Sequence, residues 1–279
     1  MPSFNIALKE AKKLLSAARK ETRAADILLD DLFSMDTLSL ILNGHNEMTD
    51  DDYKRYMNGV QRLLNDEPVQ YITNIQYFYG RNFYVNNDTL IPRNETEELV
   101  MHVLKNADSG VVADIGTGTG AIGITLKLER PELDVYISDI SKDALEVAKK
   151  NKENLEADVK ILNGDLFEPF IEQGIKVDIL VSNPPYISEK ELEDMSLSVK
   201  KYEPKLALFA EEQGLYFYRK MIESLDDILN DGGKAFFEIG WKEKKDVLAL
   251  VDTYWPNAKR EVIQDINGND RILYIEWVK

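Results

Sequence analysis

Over residues 1 to 74, apolar side chains recur at three- and four-residue intervals. FNIALKEAKKLLSAARK and DDDYKRYMNGVQRLLND each predict an amphipathic helix, with AADILLDDLF a shorter one between them. No strand pattern interrupts them. The next stretch, NIQYFYGRNFYVNND, alternates aromatic and polar residues around Gly80, which predicts a β-hairpin. After Asn94 the pattern becomes a series of short β-branched runs: VVADI, DVYIS, VKILN, VDILVS, KAFFEI, KREVIQ and RILYIEWV. The first five alternate with helical segments such as AIGITLKLE, SKDALEVAKKNKEN and EEQGLYFYRKMIESLDDILN, as in a parallel doubly wound sheet. The last two are separated only by DINGND, too short for a crossover helix, so they should pair antiparallel at one edge. The expectation is an α/β protein with a helical domain over 1–74, a hairpin linker over 75–90, and a domain over 91–279 built on a seven-stranded Rossmann-like sheet.

A chain of 279 residues has room for a catalytic domain and a small accessory one. Its 44% hydrophobic and 30% charged residues suit an ordinary globular core. The absence of cysteine excludes disulfides, thiolate zinc sites and a cysteine nucleophile. The two histidines, His45 and His102, lack metal-ligand spacing, and no metal is expected. No run approaches the ~18 to 20 apolar residues of a membrane span, and MPSFNIALKEAKKLL carries no cleavage-site pattern, so a cytoplasmic location is expected. A formal charge of −16 opposes counterion-driven binding to nucleic acid and favours a protein or small-molecule partner.

The chemistry concentrates at strand ends, where doubly wound sheets bind ligands. The first strand of the sheet ends in Asp114-Ile115-Gly116-Thr117-Gly118-Thr119-Gly120 and leads straight into a helix. Glycine there permits positive φ and close approach of a ligand to the backbone. Because Gly118 to Gly123 also fits G-x-G-x-x-G, the loop alone does not separate NAD from S-adenosylmethionine (AdoMet). The second strand ends at Asp139, whose carboxylate can accept from both hydroxyls of an adenosine ribose, a group that both ligands contain. The alternative is a cap on the helix that begins SKDALEV. Asp165 can accept from an adenine amino group, with Leu166 and Phe167 expected against the ring.

The fourth strand runs into Asn183-Pro184-Pro185-Tyr186. Two prolines have fixed φ and no N–H, which makes a stiff turn whose Pro184 carbonyl is free to face a ligand. An amide or aromatic amine nitrogen is a poor nucleophile, because its lone pair is delocalised. Two acceptors, the Asn183 side-chain oxygen and the Pro184 carbonyl, can hold both N–H bonds of one NH2 and aim its remaining lobe at a sulfonium methyl. Tyr186 can stack on the planar group. This turn has no use in a dehydrogenase.

With these residues assembled, the sequence resembles the class I AdoMet methyltransferases, and more closely the release-factor glutamine methyltransferases of the PrmC/HemK family. The likeness runs through Pro68-Val69-Gln70-Tyr71-Ile72, Phe78-Tyr79-Gly80, the junction Leu90-Ile91-Pro92-Arg93-Asn94-Glu95-Thr96-Glu97, DIGTGTGAI, SNPPYI, and Tyr202-Glu203-Pro204 with Ala207-Leu208. Phe is commoner in the family at position 202. The resemblance implies methylation of the glutamine amide in the Gly-Gly-Gln tip of class-1 release factors, with S-adenosylhomocysteine as the second product. It implies AdoMet contacts at Gly116, Thr117, Gly118, Thr119, Gly120, Asp139, Asp165, Leu166 and Asn183, and substrate contacts at Asn183, Pro184, Pro185 and Tyr186. Asn183, Pro184 and Tyr186 are the expected catalytic set. The expected enzyme is a monomer whose residues 1–74 dock the protein substrate. An adenine-N6 methyltransferase would share the planar NH2 but would need a basic channel for a flipped base. A silent AdoMet-binding partner protein would not need the intact turn.

Overall fold

The structure, a computed structural model, describes residues 1–188, 191 and 195–278. It divides into two compact units, Met1–Ile75 with Ser196–Tyr202, and Gln76–Met195 with Glu203–Lys279.

The first unit is helical: α1 (Phe4–Ala17), α2 (Arg23–Phe33), α3 (Thr37–Asn43), α4 (Asp50–Leu64) and α5 (Val69–Thr73). The Thr49 hydroxyl caps α4 by accepting the Asp52 N–H at 3.1 Å, and Asp50, Asp51 and Asp52 place negative charge at the positive end of the helix dipole. The apolar faces meet in a core that includes Leu15, Leu28, Leu29, Tyr56 and Val60. Gly59 lets α4 close on α2, since a Cβ there would lie 2.7 Å from a Leu28 methyl. The buried Tyr56 hydroxyl donates to the Ala25 carbonyl at 3.0 Å. The returning segment reaches the same unit through side chains: Lys201 Nζ and the Tyr202 hydroxyl both donate to the Asn65 carbonyl, at 3.1 and 3.0 Å. The hydroxyl by which Tyr202 differs from Phe thus makes a bond that Phe could not.

A hairpin follows, β1 (Ile75–Phe78) and β2 (Arg81–Tyr84), which from Gln76 onward belongs to the second unit and is turned by Tyr79 and Gly80, both at positive φ as a two-residue hairpin turn requires. A helix not anticipated from the pattern follows, α6 (Glu95–Asn106), which buries Leu99, Val100 and Val103. Then come β3 (Gly110–Ile115), α7 (Ala121–Glu129), β4 (Leu133–Asp139), α8 (Lys142–Asn154), β5 (Lys160–Asn163), α9 (Glu168–Glu172) and β6 (Val177–Ser182). After α10 (Leu197–Tyr202), which belongs to the first unit, the chain continues through α11 (Tyr216–Glu223), β7 (Leu229–Glu238), α12 (Lys244–Tyr254), β8 (Lys259–Gln264) and β9 (Asp270–Glu276).

The seven strands β3 to β9 form one sheet in the order β5-β4-β3-β6-β7-β9-β8. β5, β4, β3, β6 and β7 run parallel; β9 is antiparallel to β7 and to β8, so the final pair lies at one edge with β9 inserted against β7. The chain winds outward from β3 to β5 and then returns to place β6 on the other side of β3. The carboxyl ends of β3, β4 and β6 therefore surround the point where connection order reverses.

One predicted helix is broken up. Residues 211–230 give a short turn at Glu212–Gly214, then α11, then a second turn at Leu225–Asp227, and β7 starts at Leu229 rather than at KAFFEI. Gln213 and Gly214 both have positive φ, and a Cβ on Gly214 would meet the Tyr186 carbonyl oxygen at 2.3 Å. At the other end Leu225, Ile228 and Leu229 are all buried, and the Ile228 carbonyl accepts the Val177 N–H at 2.9 Å. Sheet pairing and core burial there outweigh the local helical periodicity.

Candidate active site

The glycine loop lies where the sheet predicts a ligand. Gly116, Gly118 and Gly120 all have positive φ, at 69°, 54° and 80°. A Cβ at Gly116 or Gly118 would meet nothing within 4 Å, so these two positions need glycine for conformation and leave open space beside the backbone. Gly120 and Gly123 serve packing: a Cβ on Gly120 would lie 2.7 Å from Ile124 Cδ1, and one on Gly123 2.3 Å from Ile137 Cγ2. The loop is tied from beneath by Asp114, which is fully buried and accepts the Thr117 hydroxyl at 2.6 Å and the Gly123 N–H at 2.9 Å on one oxygen. The other oxygen has no partner among the described residues. Burial pushes the Asp114 carboxyl up to about 6.

Asp139 stands at the end of β4 facing this loop. One of its oxygens accepts the Gly118 N–H and the other the Ser141 N–H, both at 2.9 Å. The Ile140 N–H also bonds this carboxylate, which still has lone-pair capacity for a further donor. The capping role of α8 belongs to Ser141, whose hydroxyl accepts the Ala144 N–H at 3.2 Å. Burial raises the Asp139 carboxyl, and the backbone N–H donors act against that rise.

The Asn183 to Tyr186 turn continues from β6, whose last residue, Ser182, donates its hydroxyl to the Ile115 carbonyl at 2.8 Å and so joins the ends of β6 and β3. Asn183 Nδ2 donates to the Thr96 hydroxyl oxygen at 3.3 Å, and that hydroxyl donates to Glu238 Oε2 at 2.7 Å. Among the described residues, no hydrogen bond ends on Asn183 Oδ1 or on the Pro184 carbonyl. Glu238 is buried at the end of β7; burial pushes its carboxyl up to about 7, against the opposing pull of the Thr96 hydroxyl.

A cavity of about 320 Å³ collects these groups. Gly116, Thr117, Gly118, Thr119, Asp139, Asp165, Leu166, Asn183, Pro184 and Pro185 all line it. Gly120 and Tyr186 do not: Gly120 is the N-cap residue before α7, and Tyr186 packs its half-buried ring on the core beside Tyr218, where burial pushes its hydroxyl up to about 12. Phe167, expected against an adenine ring, is instead buried in the core, and its neighbour Leu166, at positive φ, lines the cavity.

The wall also holds residues to which the sequence assigned no role. Ile140, 53% exposed, projects an apolar side chain beside Asp139. Leu90, Pro92, Arg93 and Thr96 of the junction line one side, and Pro204 and Ala207 another. Arg93 donates to both oxygens of the buried Glu203, at 2.7 and 2.8 Å, which joins these two walls. The signal for them was present in the junction and Tyr202-Glu203-Pro204 motifs, but no spacing rule links positions 110 residues apart. Among the described residues, no cluster of acidic, His or Cys side chains could hold a metal, and no helix is long and apolar enough to cross a membrane.

The sheet order with its reversed last pair, and the glycine loop at the end of β3, define a class I methyltransferase. Residues 94–199 match the family model described as "Methyltransferase small domain", and residues 7–73 match "PrmC N-terminal domain". The release factor glutamine methyltransferase of Staphylococcus aureus is 38% identical over 99% of this chain and 100% of its own length. That of Bacillus subtilis is 43% identical over 96% and 95%. The chain belongs to the release factor glutamine methyltransferase family. A methyltransferase from Pyrococcus furiosus shares the fold at 18% identity, with a TM-score of 0.52 over 80% of this chain and 99% of that one.

Proposed function

We propose that this chain transfers the methyl group of AdoMet to the side-chain amide nitrogen of the glutamine in the Gly-Gly-Gln motif of class-1 peptide chain release factors. The observation that carries the reading is that Asn183 and Pro184, whose side-chain and main-chain oxygens accept no hydrogen bond among the described residues, line the same cavity as the glycine loop in a chain of this family. The cavity suits AdoMet: the loop leaves open space at Gly116 and Gly118, and Asp139 has lone pairs for ribose hydroxyls. AdoMet, when bound, supplies an electrophilic methyl on a good sulfur leaving group.

The protein's own contribution is orientation. Asn183 Oδ1 and the Pro184 carbonyl each accept one N–H of the glutamine amide, which turns its remaining lobe toward the methyl carbon and holds it within about 3 to 3.5 Å. As the N–C bond forms, the C–S bond breaks; the extra proton then leaves the nitrogen for solvent. No strong base is required, because the N–H becomes acidic only as the methyl arrives. Asp165 and Leu166 take the adenine end. The helical residues 1–74 dock the body of the substrate, since a four-residue turn offers too little contact to select one glutamine on a large protein. The reading has the enzyme acting as a cytoplasmic monomer, with no direct nucleic acid contact.

The test is mass spectrometry of a release-factor peptide after incubation with enzyme and AdoMet. One added methyl on the glutamine of Gly-Gly-Gln is expected. Methyl incorporation into plasmid DNA with none into the release factor would overturn the reading.

A further inference from the structure

We propose that Thr96 and Glu238 are positioning residues that set which end of the Asn183 amide faces the substrate. The inference rests on the reading of Asn183 as acceptor for the glutamine N–H. An asparagine amide has two ends of nearly equal size and opposite polarity. Turned the wrong way, it would present its own NH2 to the NH2 of the substrate, donor against donor.

The Thr96 hydroxyl has one proton and two lone pairs. Its proton goes to Glu238 Oε2 at 2.7 Å, a charge-assisted bond when Glu238 is ionised. Only lone pairs remain for Asn183, so the Nδ2 end must turn toward Thr96, at 3.3 Å, and the Oδ1 end toward the cavity. That bond is long, and the bias comes as much from exclusion: a reversed amide would set Oδ1 against the Thr96 lone pairs and a buried carboxylate. Glu238, 2% exposed, also hydrogen-bonds the Asn183 side chain directly, and an ionised carboxylate can only accept, so it too favours the Nδ2 end on this side. The arrangement also gives a role to Thr96 in the junction motif, which carries the family likeness without any chemistry of its own.

The same network makes the bias depend on charge. Glu238 is faced by Arg271 on β9, which favours its ionised form, and by Glu95 at the start of α6, which opposes it. The hydroxyls of Tyr186 and Tyr218 also feel its charge. Burial holds the carboxyl up at about 7. Once protonated, Glu238 can donate to Thr96, whose own proton is then free for Asn183 Oδ1, and the reversed amide is no longer excluded.

The experiment measures kcat at saturating substrates across pH, with AdoMet titrations alongside, for the wild type and for Thr96→Val, Thr96→Ser, Glu238→Gln and Asn183→Ala. Thr96→Val is expected to lower kcat roughly tenfold, about the worth of one hydrogen bond to a charged group, and to leave AdoMet affinity within about twofold. Thr96→Ser, which keeps the hydroxyl, should restore kcat to within about threefold of wild type. Wild-type kcat should fall as pH drops through about 7, and this acid limb should vanish in Glu238→Gln. If Asn183→Ala is fully active, the acceptor reading itself fails. If Asn183→Ala is inactive while Thr96→Val matches wild type, or the acid limb persists in Glu238→Gln, the positioning inference alone is overturned. Should Thr96→Val not fold, the Glu238→Gln profile decides.

Discussion

The two ends of the cavity are built in different ways. At the cofactor end the supporting bonds join near neighbours in the chain: Asp114 to Thr117 and Gly123, three and nine residues apart, and Asp139 to Gly118, 21 apart. Most of the donors are backbone N–H groups on one strand-loop-helix unit and the start of the next. At the acceptor end the bonds join side chains from distant elements: Thr96 to Glu238 across 142 residues, Asn183 to Thr96 across 87, Arg93 to Glu203 across 110. A local loop can present backbone donors to a ligand that arrives in one conformation. The placement of two acceptors around a reacting nitrogen needs convergent walls, which only tertiary contacts supply. Damage at the two ends should therefore separate into lost cofactor affinity and lost turnover.

The sharpest break should come at the acceptor end. Asn183→Ala is expected to cut kcat by roughly 10²-fold or more while the protein stays folded, because one of the two groups orienting the NH2 is gone. Turnover within about threefold of wild type at saturating release factor would remove Asn183 from that role. At the cofactor end, Asp139→Ala should weaken AdoMet binding by roughly ten- to a hundredfold per ribose bond lost, with the fold retained. An unchanged dissociation constant by calorimetric titration would leave Asp139 with only its bonds to backbone N–H groups, those of Gly118, Ile140 and Ser141.

A third experiment sharpens the comparison by asking what feeds the acceptor end. A chain beginning at Asn74 should keep AdoMet affinity and lose roughly tenfold or more in kcat/KM on intact release factor, with much less loss on a short Gly-Gly-Gln peptide. Circular dichroism must show the shortened chain folded, because residues 196–202 lose their packing partners with the first unit. Equal activity on the intact protein would rule out docking by residues 1–74. The smallest effect should come from Gly123→Ala, whose methyl would press on Ile137 at 2.3 Å and on Asp114 at 3.1 Å. A loss of about 1 to 3 kcal/mol is expected, read as a fall of several degrees in melting temperature. An unchanged melting temperature would show that α7 can shift away from β4 without loss.

The same division separates what could be read in the chain from what could not. The glycine loop, Asp139 and the Asn183 to Pro185 turn lie at strand ends, and alternation of strand and helix places strand ends without knowledge of any distant contact. Thr96, Glu238, Arg93 and Glu203 carry no periodic or spacing signal, because each matters only through a partner on another element. The place of Phe167 is illegible for a related reason: Leu166 and Phe167 are equally apolar in the sequence, and the backbone turn at Leu166, with its positive φ, accompanies Leu166 lining the cavity while Phe167 is buried. The helix expected over 211–230 is interrupted because Gly214 must pass the Tyr186 carbonyl and Leu229 must pair with Val177.

By itself, then, the sequence determined the seven-stranded α/β architecture, the loop conformation at Gly116 to Gly120 and the acceptor chemistry of Asn183 and Pro184, since hydrophobic period, glycine φ and proline's missing N–H are properties of single residues and their neighbours. Only the tertiary structure decided which of those residues share a cavity and that Asn183 turns its Nδ2 toward Thr96. The direction of a hydrogen bond is set by the partner it meets, and here the partners lie 87 and 142 residues apart along the chain.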